Sequence, residues 1–253
     1  MSGIIKISDS LNNSYQKLSS GKRINKAADD AAGLQIAEKT KSSINGYDVG
    51  ANNMKTGNNL INTADSALDS MTGSLQRLRE LAVAAQNTAI YGDDDIKAMQ
   101  DEATQLLQGM DGVVDTATFN GKRLLDDNEL NIQSSGNDSM KLNTYNSSVD
   151  SLGLSGLNIA SNDALQKIDN AINSISDNRS ALGAKSNALT YATDYNRGAS
   201  QYLNEANSRI EDLDYAKEIS EKKKSEALNE YSNLMQKKQL EQQENSTKRL
   251  LGL

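Results

Sequence analysis

The chemically active side chains of this sequence are carboxylates, amines, guanidinium groups and hydroxyls. It has 34 Asp and Glu against 27 Lys and Arg, and neither Cys nor His. Without thiol or imidazole there is no zinc-finger ligand set, no His-based hydrolase and no disulfide scaffold. A catalyst would have to use an Asp/Glu pair or a Ser–Lys dyad held in a pocket. The densest acidic run, Asp93-Asp94-Asp95, can be read as a cation site, but it lacks the alternating ligands and following Gly of a calcium loop. Three carboxylates just ahead of an apolar periodic stretch fit a helix N-terminus, where they complement the dipole. The net charge of −7 speaks against nucleic acid and anionic membrane as the main partner. No apolar run is long enough to span a bilayer. The chain is therefore expected to be no enzyme, to hold no cofactor or metal, and to work through its surface.

The elements that would present that surface are helices. From Met54 to Asn87, apolar or small residues recur at Leu60, Ala64, Leu68, Met71, Leu75, Leu78, Ala82 and Ala85. Steps of three and four define a helix with a narrow apolar seam, roughly 50 Å long over this stretch. Asp65, Asp69, Gln76, Arg77, Arg79 and Glu80 fill the faces between. So narrow a seam buries too little area to be stable alone and requires helices alongside. The absence of Pro suits long helices, and 36% hydrophobic residues with one Phe argue against a large globular core.

Partners lie on both sides. Ile4, Ile7, Leu11, Tyr15 and Leu18 predict an amphipathic helix of about four turns, ended by Ser19-Ser20-Gly21. Asp29 and Asp30 suit the start of the next helix, which runs through Gly33, Gly46, Gly50 and Gly57. Each Gly costs about 0.5–1 kcal/mol relative to Ala, so close packing must justify them. After the TAIYGDDD turn, Ile96, Met99, Ala103, Leu106, Met110, Val113 and Ala117 carry a matching seam, which predicts an antiparallel helical hairpin. Residues 119–161 change character: Leu130 and Ile132, then Met140 and Leu142, alternate with polar residues about a Ser-Gly-Asn-Asp turn, a β-hairpin pattern. The helical period returns from Leu165 through Ile168, Ile172, Ile175, Leu182 and Leu189 and continues past Asp214. There Glu218–Lys222 and Lys217–Glu221 are spaced as i,i+4 pairs. The layout is close to a mirror. It predicts a mainly α fold, a long antiparallel coiled-coil-like rod with the β-hairpin region at the far end and the terminal helices paired at the other.

Several blocks of sequence resemble bacterial flagellin. They are Leu18-Ser-Ser-Gly-Lys-Arg-Ile-Asn25, Ala28-Asp-Asp-Ala-Ala-Gly33-Leu-Gln-Ile-Ala37, Leu75-Gln-Arg-Leu-Arg-Glu-Leu-Ala82 and Phe119-Asn-Gly-Lys-Arg-Leu-Leu125. Ser151-Leu-Gly-Leu154, Arg179-Ser-Ala-Leu-Gly-Ala184 and Ala206-Asn-Ser-Arg-Ile-Glu-Asp212 with Asp214-Tyr-Ala216 continue in family order over most of the chain. The resemblance implies a structural subunit that polymerises into the flagellar filament, a secreted, extracellular homopolymer used for swimming. It implies export in an unfolded state through the flagellum's own secretion channel, consistent with a start that is not a secretory signal peptide. An export chaperone and a cap protein are the implied partners besides other copies of the chain.

On that pattern, residues 1–28 are an inner-core helix and spoke, 29–127 the N-terminal half of the rod, and 128–161 a short hairpin segment. Residues 162–214 are the C-terminal rod helix and 215–253 the second inner-core helix. With only about forty residues between the rod halves, the form lacks large outer domains. A zinc protease, carried there by some relatives, is excluded by the absence of His. Two features depart from the pattern: the Leu-Ser-Ser-Gly block stands close to residue 1, and Glu221–Lys238 is unusually charged. Short helices are marginal alone in water, so Ile4, Ile7, Leu11, Leu228, Leu234 and Leu240 are expected to become buried only in the filament.

The resemblance also implies a ligand role toward the vertebrate flagellin-sensing Toll-like receptor. Gln76, Arg77 and Leu81 match the family's contact block, and Glu102 its acidic contact on the next helix. Arg77 and Leu81 are one turn apart on one face, an exposed Arg with a Leu anchor. The residue-level alternative is a solvated Arg77 with Leu81 extending the seam. A hook–filament junction protein and a secreted helical adhesin are the competing functional readings. Asn137-Asp-Ser and Asn146-Ser-Ser match the N-glycan acceptor pattern.

Overall fold

The computed structural model describes residues 2–135 and 138–250, with side chains described from residue 8 to 249 within that range. It contains five helices: α1 (Ser2–Ser20), α2 (Ala31–Ala85), α3 (Asp93–Thr116), α4 (Ala164–Glu211) and α5 (Tyr215–Leu250). Two small antiparallel hairpins accompany them, β1 (Thr118–Phe119) with β2 (Lys122–Arg123) and β3 (Glu129–Ser135) with β4 (Asp138–Asn143). The mainly α architecture expected from the seams is what the chain adopts. It divides into two compact units, residues 1–44 with 201–253, and residues 45–200.

In the first unit α1 packs on α5. Tyr15 joins the two: its hydroxyl lies 3.3 Å from Glu226 Oε1, and Lys222 Nζ sits 4.4 Å above its ring. Lys222 pairs with Glu226, and Lys224 with Glu221, rather than in the Glu218–Lys222 and Lys217–Glu221 pairs expected from spacing. The rotamer of Lys222 is set by the Tyr15 ring from another helix, a tertiary contact that i,i+4 spacing does not contain. Asp30 Oδ1 accepts from the Gly33 amide at 2.8 Å, the cap that starts α2 at Ala31.

The loop between α1 and α2 is held down by Glu211. This carboxylate, 5% exposed, meets Lys22 Nζ at 2.9 Å and Lys41 Nζ at 2.7 Å and accepts from Asn207 Nδ2. Burial by itself would raise its pKa. The hydrogen bonds from Lys41, Lys22 and Asn207 outweigh that and draw it down to about 2. Backbone bonds reinforce the contact, from the Arg23 amide to the Glu211 carbonyl and from the Leu213 amide to the Gly21 carbonyl.

In the second unit the core follows the sequence seam: Met54, Leu60, Ile61, Ala64, Leu68, Met71, Leu75, Leu78, Ala82 and Ala85 are buried. Facing them are Ala103, Met110 and Val114 of α3 and Ile168, Ala171, Ile175, Leu182 and Leu189 of α4. Ion pairs and hydrogen bonds fix the antiparallel register of α2 and α4. Arg79 pairs with Asp169, Arg179 with Asp65 and Asp69, Asn58 bonds to Thr190, and Ser200 to Asp48. Each step forward along α2 is matched by an equal step back along α4. The irregular segment Ser148–Ser161 closes the core with Leu152, Leu154, Leu157 and Ile159, and Gln100 clamps it through the Leu157 carbonyl and the Ile159 amide.

The longer hairpin lies against α2 and α4, with Asn53 donating to the Gln133 carbonyl and Asn196 to Ser134 Oγ, both at 3.1 Å. Gly50 and Gly57 make this possible. A Cβ at Gly50 would stand 1.3 Å from the Ser134 carbonyl oxygen, and one at Gly57 2.5 Å from Ile132 Cδ1. Their helical cost is offset by the backbone approach they permit.

Candidate recognition surface

Gln76, Arg77 and Glu80 stand on the outer face of α2 because the buried positions Leu75, Leu78, Leu81 and Ala82 turn the opposite stripe inward. The next helix, α3, begins at Asp93 as the sequence suggested. Asp95 Oδ2 accepts from the Gly92 amide at 3.0 Å, so the acidic run works as a cap. Among the described residues no cluster of acidic side chains is arranged to hold a metal ion. Because α3 returns antiparallel to α2, Glu102 arrives opposite Arg77. Arg77 Nε meets Glu102 Oε1 at 2.7 Å and Nη2 meets Oε2 at 3.3 Å, while Nη1 meets Glu80 Oε2 at 3.0 Å. The bonds to Glu102 and Glu80 raise the Arg77 pKa, and Arg77 in turn lowers that of Glu102. The pair is half exposed and flat, a bidentate charged patch rather than a pocket.

The four residues expected from the family resemblance to contact a receptor separate here. Gln76, Arg77 and Glu102 come together on the surface, whereas Leu81 is 5% exposed and packed in the core. As a side chain offered to a partner, Leu81 is corrected by this burial: one turn from Arg77 is far enough round the helix for the seam to claim it. Sequence reading missed the residues that do offer apolar surface at this corner. Val83 is 50% and Ile90 70% exposed. With Arg79, Glu80, Asn87 and Tyr91 they line an open groove of about 640 Å³. The signal was present: Val83 falls out of phase with the seam, and Ile90 is an aliphatic residue in a turn.

The residues expected to form the filament core lie in the first unit. Leu228, Leu234 and Leu240 are 48%, 61% and 65% exposed on α5, and Leu11 is half-buried. The side chains of Ile4 and Ile7 lie outside the described residues.

The family model described as the bacterial flagellin N-terminal helical region matches residues 1–129, and that of the flagellin C-terminal helical region matches residues 165–251. The chain belongs to the bacterial flagellin family. It is 38% identical to the flagellin of Halalkalibacterium halodurans over 233 residues, covering 87% of this chain and 84% of that one. It is 34% identical to the Bacillus subtilis flagellin, covering 87% and 86%. The crystal structure of Bacillus cereus flagellin superposes with a TM-score of 0.51 at 26% identity, over 57% of this chain and 88% of that one. A flagellar hook-associated protein from Vibrio parahaemolyticus shares the fold, with a TM-score of 0.53 at 15% identity over 73% of this chain. As a flagellin, the chain is a structural subunit of the extracellular flagellar filament, self-polymerising and not an enzyme.

Proposed function

We propose that this subunit is exported unfolded through the flagellar secretion channel with an export chaperone and assembled under a cap protein. Its outer rod surface is then a ligand for the vertebrate flagellin-sensing Toll-like receptor. The observation that carries the receptor reading is the Arg77–Glu102 pair. Two residues that match the family's contacts, from helices separated by a turn, meet on one exposed face with Gln76 beside them. Leu81 acts from beneath, by holding the α2–α3 corner in shape. The test is a receptor-dependent reporter assay on purified monomer. Arg77→Asp lowers potency at least tenfold while circular dichroism stays unchanged, and undiminished potency overturns the reading.

For assembly, the exposed Leu228, Leu234 and Leu240, with Leu11, Ile4 and Ile7, become the inner filament core when neighbouring copies supply partners. Exposed leucines on a helix with little apolar surface of its own support this, because the interface exists only once copies align. Amide exchange slow at these positions in filaments and fast in dilute monomer is the expected result. Protection already present in the monomer overturns it.

A further inference from the structure

We infer that Tyr191 and Tyr195 of α4, with Tyr47 of α2 packed against Tyr195, form a docking face on the second unit for another copy of this chain. The inference rests on membership of a self-polymerising family and names where along this unit a neighbour sits.

The inward stripe of α4 here is Leu189, Thr193, Asn196 and Ser200, all buried. Tyr191 and Tyr195 are one turn apart on the opposite side of the helix. They are 75% and 68% exposed, far more than a large aromatic side chain needs to be on a helix that already has a packed face. Tyr47 meets Tyr195 edge to face, with ring centroids 6.4 Å apart and planes at 77°. That contact fixes the Tyr195 ring before any partner arrives, which lowers the entropy lost on docking. Neither Tyr191 nor Tyr195 has a hydroxyl hydrogen bond within the chain among the described residues. Exposed tyrosines with an apolar body and a free polar tip are the side chains most enriched at interface centres.

Charge selects a second copy as the occupant. The ridge of α4 beside the tyrosines carries Asp194 and Arg197, both exposed. Arg77, Arg79, Arg123 and Arg179, the other arginines of this unit, all sit in ion pairs. Arg197 has no acidic partner within the chain among the described residues, and Asp194 has no basic one. Two opposite, unmatched charges on one ridge are complementary to the same ridge on a displaced copy. A head-to-tail contact of that kind does not close, and it repeats into a filament.

The experiment compares tyrosine nitration by tetranitromethane in monomer and in seeded, sedimented filaments, read site by site by mass spectrometry. Tyr191 and Tyr195 should be modified readily in the monomer and roughly tenfold less in filaments, because a packed interface core excludes water and reagent. In parallel, Tyr191→Ser with Tyr195→Ser should leave the monomer's circular dichroism unchanged and raise the critical concentration for assembly roughly tenfold. Filaments whose two tyrosines are nitrated as fast as in monomer overturn the inference and leave the face to a partner other than this chain. Failure of the wild-type protein to sediment under any seeding condition overturns self-assembly, and this inference with it.

Discussion

Arg77 and Glu102 stand on consecutive antiparallel helices and meet through two hydrogen bonds, at 2.7 and 3.3 Å. The bond is geometrically specific yet half exposed, so solvent screens it. Exposed ion pairs contribute little to stability. Arg77→Asp and Glu102→Lys should therefore each leave the urea unfolding midpoint nearly unchanged. If the proposed receptor role holds, receptor potency should fall at least tenfold for Arg77→Asp in the reporter assay, separating recognition from stability at this pair.

Leu81 behaves in the opposite way. It is buried in the core at 5% exposure, so Leu81→Ala should cost about 2–5 kcal/mol of stability, with Leu81→Met costing less than about 1.5 kcal/mol. Receptor potency should follow stability: reduced for Ala and retained for Met. A Leu81→Met variant of full stability but lost potency would show direct contact with the receptor instead.

The Glu211 node gives a pH dependence. Its folded pKa is lowered to about 2 from an ordinary value of 4.5, so its stabilising contribution is fully present above about pH 4.5. It is lost as pH falls from there toward 2. Allowing for screening at the exposed ends of Lys22 and Lys41, the contribution is of order 1–2 kcal/mol. Glu211→Gln should remove that part of the acid dependence and release the Gly21–Asp30 loop. The change reads out as faster amide exchange at Arg23 and Leu213, whose amides bond to the Glu211 and Gly21 carbonyls.

Gly50→Ala tests the hairpin seat. A methyl group 1.3 Å from the Ser134 carbonyl oxygen cannot be accommodated without moving the hairpin. Helix propensity alone would make the change favourable by about 1 kcal/mol. The expected outcome is a net loss of stability, with the Asn53 and Asn196 contacts to β3 broken and limited proteolysis at residues 129–143. Gly46→Ala, where nothing lies within 4 Å, should stabilise and is the control.

Much of this was legible in the sequence, because helices announce themselves through a local period. Every seam position named between Leu60 and Ala85 is buried. The Asp30 cap, the Asp95 cap and the alternation of β3 and β4 also follow from neighbours in sequence. The small β1–β2 hairpin was missed although its turn is the Asn120-Gly121 pair, both at positive φ, in one of the strongest short hairpin signals. Family membership rested on ordered blocks, and the matches to both terminal helical regions agree with them.

Other features required the tertiary structure, because each depends on residues far apart in the chain. Periodicity places Leu81 equally well at the edge of the seam or beside Arg77, and only the packing of α3 and α4 puts it inside. The hairpin's alternating pattern fixes its pairing but not its seat. That seat was decided by two glycines more than seventy residues earlier and by Asn196 on another helix. Lys222 chose Glu226 over Glu218 because the Tyr15 ring of α1 lies beneath it. The sequence alone thus determined which segments are helices, which face of each is apolar, and the family. The tertiary structure decided which exposed residues share a surface, because non-local contacts set side-chain exposure and sequence period does not record them.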